Sequence, residues 1–302
     1  MTSADLNRQF GIPAQVEFMD GPGGFPLARI SNRHATAEVC LYGGHVLRYQ
    51  PQGQPPVLWL SRCSRFEEGK PIRGGIPVCW PWFGAHPTDP ALPMHGLARI
   101  SQWDIRATST QSDGATAIKL GLTDSPDSCR HWPYSFELEL TAIIGPRLRV
   151  ELAMHNRAAA AVRITAALHS YFAVSRAQDI VIHGLEDKEY IDTVGQPWQR
   201  RRQSGSIRIA EETDRIYLDT AADCVLDDPG LRRRITIAKE GSRTTVVWNP
   251  WIEKSKRMPD FGDDEYPGMV CIETANAQND AITLPPGGRH TLAAIIGSEP
   301  LG

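Results

Sequence analysis

Several segments of the chain alternate apolar and polar residues with a period of two. They are FELELTAII (136–144), LRVELAMHN (148–156), VRITAALHSYFAV (162–174), SIRIA (206–210), RITIAK (234–239) and TTVVWN (244–249). Neighbouring side chains of a strand point to opposite faces, so this period sends one set inward and the other toward water. No segment keeps a helical apolar period beyond two turns. Only the first few residues and SRCSRFEEG (61–69) read as short helices. Turn residues such as DGA, SPDS, GPR, DPG and PPGG separate the strands every 8 to 14 residues. That rhythm speaks against alternating βαβ units and predicts an all-β chain, a large antiparallel two-sheet β-sandwich with few short helices. Without a Pro/Ser-rich linker, a low-complexity tract or an internal repeat, residues 1–302 read as a single domain. The arginine triplets at 200–202 and 232–234 lie near turns and read as solvated loop charges.

With 302 residues, 41% of them hydrophobic, the chain can bury a large core. A formal net charge of −3 and a pI near 6.3 give no electrostatic footprint for nucleic acid or an anionic membrane, so neither is expected as a partner. Cysteines 40, 63, 79, 129, 224 and 271 are scattered without CxxC spacing, and four have apolar neighbours; they read as buried free thiols rather than disulfides or a zinc site. MTSADLNRQFGIP has no basic or apolar leader pattern, and no run approaches the ~20 apolar residues of a membrane span. A cytoplasmic location is expected. A monomer is expected too, since no exposed apolar stripe stands out.

A few polar residues sit in surroundings that do not suit them. IRGGIPVCWPWFG (72–84) carries one charge, Arg73, among glycines, prolines and aromatic rings. That arginine either waits for an anion or fastens the loop to an internal carboxylate. His169 lies inside AALHSYFAV, as a satisfied core histidine or as an acid–base group. Glu273 ends the apolar run MVCIE, where a carboxylate is costly to bury without a partner. His95 and Arg99 fall in MHGLARI, Asp214 at a turn entering TDRIYLD, and Trp248 in WNPW.

Together these residues suit a carbohydrate. Aromatic faces cover the C–H faces of a pyranose, charged groups bind hydroxyls, and histidine with a carboxylate supplies an acid and a base near neutral pH. Arginine adds an anionic substituent, because its planar fork matches phosphate oxygens. No GxGxxG or GxxxxGK[ST] loop is present, and DFG at 260–262 lacks every other kinase signature. His45, His95 and His169 lack the spacing of a metal motif, so no metal is expected.

RGGIPVCWPWFG, HGLAR, LHSYFAV, TDRIYL, WNPW, FGDDEYPGMVCIETAN and LPPGG, taken in this order, resemble the glucose-6-phosphate 1-epimerases, the hexose-6-phosphate mutarotases of the aldose 1-epimerase superfamily. The resemblance implies a two-sheet galactose-mutarotase-like supersandwich. It implies that His169 and Glu273 are catalytic, that Arg73 and Arg99 bind the sugar phosphate, and that Asp214 and His95 bind hydroxyls or steady the ring. Met94 stands where related sequences often place a glutamine that contacts the sugar, a departure that removes one polar sugar contact and points to an altered sugar preference; Met94 and Trp248 are both expected among the substrate-binding positions. The implied activity interconverts the anomers of a hexose 6-phosphate by ring opening, with Glu273 as base, His169 as acid and no cofactor. An aldose 1-epimerase of unphosphorylated sugars, a non-catalytic sugar-binding protein and a glycosidase using Glu273 with Asp214 or Asp192 remain as other readings.

Overall fold

A computed structural model describes residues 1–301 of the chain. The all-β expectation holds. One eight-stranded antiparallel sheet runs, edge to edge, through Val181–His183, Cys224–Asp228, Arg233–Glu240, Arg289–Pro300, Leu148–Asn156, Phe136–Ile144, Thr116–Thr123 and Asp104–Thr110. The second has the order Gln199–Arg202, Glu189–Asp192, Thr213–Tyr217, Thr244–Asn249, Met269–Asn276, Ala166–Leu168 and Val78–Cys79, with Tyr171–Ala173 also paired to Met269–Asn276. Smaller sheets of four and two strands, Val16–Asp20 to His45–Pro51 and Val162–Ile164 with Ile282–Leu284, complete the architecture.

Alternation explains how the two large sheets meet. Phe136–Ile144 buries every second residue, and Leu138, Leu140 and Ala142 enter the same apolar cluster as Ile272, Val270, Leu168 and Phe172 of the other sheet. Met269–Asn276 departs from that pattern because all eight of its residues are buried. Val270 and Ile272 face the core between the sheets, whereas Met269, Cys271 and Ala275 pack into separate clusters on the other face. A strand covered on both sides reads as a continuous apolar run, which is why MVCIE carries no polar alternation.

The N-terminal helix is present as Ser3–Phe10, opened by a capping box between Thr2 and Asp5. The second expected helix is absent: residues 61–69 form turns and irregular backbone. Glu265 holds that segment, accepting from Ser61 Oγ at 2.9 Å and from the Arg62 N–H at 3.1 Å, and Leu60 bridges to Gly74. Short helices lie instead at Pro126–His131 and Trp251–Ser255.

The arginine triplets need correction in part, for Arg200, Arg201, Arg202 and Arg232 are solvated as expected. Arg200, Arg201 and Arg202 belong to an edge strand, where they pair across to Glu189 and Asp192; charges on an edge also discourage further strand addition. In the second triplet Arg233 is buried at 2% exposure, donating to the carbonyls of Pro55, Pro56 and Ala173. Cys40, Cys79, Cys224 and Cys271 are buried free thiols, while Cys63 is exposed and Cys129 lies between. Among the described residues no helix is long and apolar enough to cross a membrane.

Candidate active site

Strand register alone brings the central pair together. Leu168 pairs with Thr274 and Tyr171 with Cys271, so His169 falls directly opposite Glu273. Its Nε2 lies 3.4 Å from Glu273 Oε1. Further pairing sets Cys271 against Trp248 and Trp248 against Asp214, which carries the same sheet face across to a third strand. The His169 ring stacks on Tyr171, two residues on, at 4.7 Å and 7°, and meets Trp248 edge-on at 6.1 Å. Asp214 ends this row 3.5 Å from Lys254 Nζ, which also pairs with Glu212.

The loop 72–84 brings the arginine. Gly74 and Gly75 hold φ of 113° and 62°, and a Cβ on them would lie 2.5 Å from Leu60 Cα and 2.4 Å from the Val46 carbonyl oxygen, so only glycine suits these two positions. Arg73 takes the second of the two readings that its sequence left open, and adds a contact of its own. Its Nε and Nη2 donate to Asp260 Oδ2 at 3.2 and 3.1 Å, fastening the loop to an internal carboxylate. Its Nη1 donates to the Tyr171 hydroxyl at 2.9 Å, against the ring that carries His169.

Arg99 is the unusual member. It is 7% exposed, its Nη2 donates to the Met94 carbonyl at 2.7 Å, and its buried Nε has no partner among the described residues. No carboxylate among those residues comes within 4.0 Å of it. Met94 meets the site through that carbonyl, for its side chain is 55% exposed. His95 adopts φ of 63°, accepts the Gly84 N–H at Nδ1 (3.2 Å), and so is neutral with its proton on Nε2. Its ring lies 5.7 Å from that of His169.

Burial, with Arg99 and Arg73 adding to it, holds His169 well below the usual histidine range. Burial, with Asp214 adding to it and Arg99 opposing, pushes Glu273 well above the usual carboxylate range. Burial above all therefore favours the neutral pair, imidazole and carboxylic acid, with the shared proton on Glu273. His169, Cys271 and Glu273 also offer nitrogen, sulfur and oxygen atoms within 4.8 Å of one another, the donor types of a zinc site. Burial raises the Cys271 thiol well above its ordinary value, and Arg99 and Arg73 already act on His169, which disfavours a further cation there.

Behind the glycines, His45 is fully buried, with Nε2 2.7 Å from the Gly74 carbonyl oxygen and no partner for Nδ1 among the described residues. Burial lowers its pKa to about 4. Below pH ~6.5 the unfolded chain takes up a proton that folded His45 refuses, so its stabilising contribution is present above that pH and lost as pH falls toward 4. The slope is about 1.4 kcal/mol per pH unit. In urea titrations, His45→Gln should therefore narrow its stability gap to wild type by about 3 kcal/mol between pH 7 and pH 4. A gap that stays constant would contradict a buried neutral His45.

The model of the family "Aldose 1-epimerase" matches residues 26–296. The chain belongs to that family. The epimerase is 35% identical over 278 residues to a "Putative glucose-6-phosphate 1-epimerase" of Cenchrus ciliaris, covering 88% of this chain and 83% of that protein. It is 35% identical over 248 residues to a protein of the same name from Escherichia coli K12, with 82% of each covered. A crystal structure of a "putative mutarotase" from Salmonella typhimurium superposes with a TM-score of 0.88 at 29% identity, covering 96% of both chains. A galactose mutarotase-like protein from Clostridium acetobutylicum shares the fold at 13% identity and a TM-score of 0.76, over 94% of this chain and 98% of that one.

The structure brings His169, Glu273, His95, Arg73, Trp248 and Asp214 of the epimerase to one sheet face and its rim. Sequence reasoning missed Tyr171, Cys271, Asp260 and Lys254. The first two were within reach, since each stands two residues from a singled-out position on the same strand face. Asp260 lay in the DFG run, which is no kinase motif here; its carboxylate holds Arg73 across 187 residues of chain.

Proposed function

We propose that the chain interconverts the α and β anomers of an aldohexose 6-phosphate, D-glucose 6-phosphate in the first instance, with His169 and Glu273 exchanging protons with the sugar. In opening, the Glu273 carboxylate takes the C1-hydroxyl proton, the bond from C1 to the ring oxygen breaks, and the ring oxygen takes a proton from His169. Rotation about C1–C2 exposes the other carbonyl face, and the same transfers run backward to close the ring. One proton shared by the pair suffices, because opening moves the pair from imidazolium and carboxylate to imidazole and carboxylic acid. Neither transfer changes an oxidation state or expels a poor leaving group, so the reaction asks for no cofactor.

The observation that carries the phosphate is Arg99, a buried guanidinium with no carboxylate partner among the described residues. A buried cation left unpaired is expensive, and an anionic ligand group offsets that cost. Arg73 acts on Arg99 electrostatically and has three of its own five N–H groups already engaged. Trp248 offers an aromatic side chain for the ring, and Asp214 and His95 hydroxyl-binding groups at its edge. The names of the Cenchrus ciliaris and Escherichia coli relatives agree with this substrate.

NMR exchange spectroscopy on glucose 6-phosphate tests the proposal. Cross-peaks between the two anomeric protons should grow far faster with protein than in buffer alone, and no acceleration would end the assignment.

A further inference from the structure

The protein's own charges leave a question about the first proton transfer. Opening needs the shared proton on His169, whereas burial favours the neutral form of both groups and the two arginines disfavour the imidazolium. Two cations, Arg99 and Arg73, act on His169, and among the described residues only Asp260 pairs with either, through Arg73. Tyr171 joins Arg73 to the histidine, accepting the guanidinium's hydrogen bond and stacking on the imidazole. On the remaining sides His169 meets neutral His95, the Trp248 edge, the Cys271 thiol and Glu273. His45 lies behind and is neutral as well. Asp214 and Lys254 act from the far side, and the carboxylate of Asp214 bears on Glu273. The net charge facing His169 is thus positive, and it comes from the groups assigned to the phosphate.

We propose that the phosphate is an activator as well as a handle: a small dianion seated on Arg99 and Arg73 draws the shared proton onto His169, so the chain mutarotates unphosphorylated D-xylose when a free dianion such as phosphite is present. This rests on the proposed function and deepens it. A dianion reverses the sign of the charge facing the histidine, which a monoanion would only cancel. It acts from the histidine's side of the pair, since both arginines bear on His169 while Glu273 feels Arg99 against Asp214. D-Xylose is the glucose ring without its sixth carbon, so xylose and phosphite are the two pieces of the phosphosugar. The proton balance is unchanged: Glu273 gains the C1-hydroxyl proton and His169 yields one to the ring oxygen.

The test adds phosphite to D-xylose and measures anomer exchange by NMR, subtracting the acceleration that phosphite gives without protein. A saturable rise of at least about tenfold is expected, a fraction of the ~10²–10⁴-fold that positioned acid–base groups supply. A second readout needs no turnover. In protein labelled with ¹⁵N-histidine, the His169 ring, assigned through His169→Gln, should pass from imidazole to imidazolium as phosphite saturates, while His95 stays neutral. Bound phosphite with a neutral His169, acceleration without imidazolium, or no phosphite binding would each overturn the inference. If glucose 6-phosphate still exchanged in those cases, the proposed function would stand; if it did not, that reading would fall separately.

Discussion

Glu273→Gln should lower kcat for anomer exchange of glucose 6-phosphate by about 10²–10⁴-fold, the usual range for a positioned acid–base group. Glutamine keeps the size of a side chain only 2% exposed and cannot take the C1-hydroxyl proton. KM should shift little, because the phosphate contacts stay in place. His169→Ala should fall by a similar factor. Joined in one protein, the two changes should cost hardly more than either alone, since neither group serves without its partner. Thermal unfolding separates chemistry from folding: glutamine keeps the volume and neutrality of the protonated carboxyl, so the melting temperature should hold. A Glu273→Gln protein that kept kcat within a few-fold of wild type would remove the pair from the mechanism.

Arg99→Met should separate the two substrate classes. Truncating one partner of a buried charge pair typically costs about 2–5 kcal/mol in binding, so kcat/KM for glucose 6-phosphate should drop by at least about 30-fold. Free glucose offers no anion to lose, and its much slower exchange should change far less. The folded protein alone should gain stability, because methionine fills the same channel without an unpaired cation to desolvate. Equal losses on both sugars, with a lower melting temperature, would make Arg99 a structural residue and leave the phosphate unplaced. Arg73 makes a weaker test, since removing it also strands the Asp260 carboxylate 3.1 Å away.

The fold was legible where one face of a strand is wet and the other dry. Phe136–Ile144 and Leu148–Asn156 show their pairing partners' pattern in their own letters. Residues 61–69 were not legible: their charged sequence permits a turn of helix, and a glutamate 204 residues away decides otherwise. Arg233 failed for a related reason, because local sequence does not reveal three carbonyls converging from Pro55, Pro56 and Ala173. The site divides along the same line. His169 and Glu273 stood out as polar residues in apolar strands, and that oddity is a local signal. The proton's place between them, and the engagement of Arg73 by Asp260 and Tyr171, depend on distances and charges that no spacing in the sequence encodes.

The doubly covered strand Met269–Asn276 has a consequence for how activity is lost. Elements buried on both faces open last, with the free energy of the whole fold rather than of a local excursion. Glu273 stands within that strand, and His169 is held opposite it by a register that continues on both sides. Heat or denaturant should therefore leave the pair assembled until the sandwich itself gives way. Inactivation and global unfolding should share one midpoint, without an earlier phase in which a folded chain has lost its chemistry.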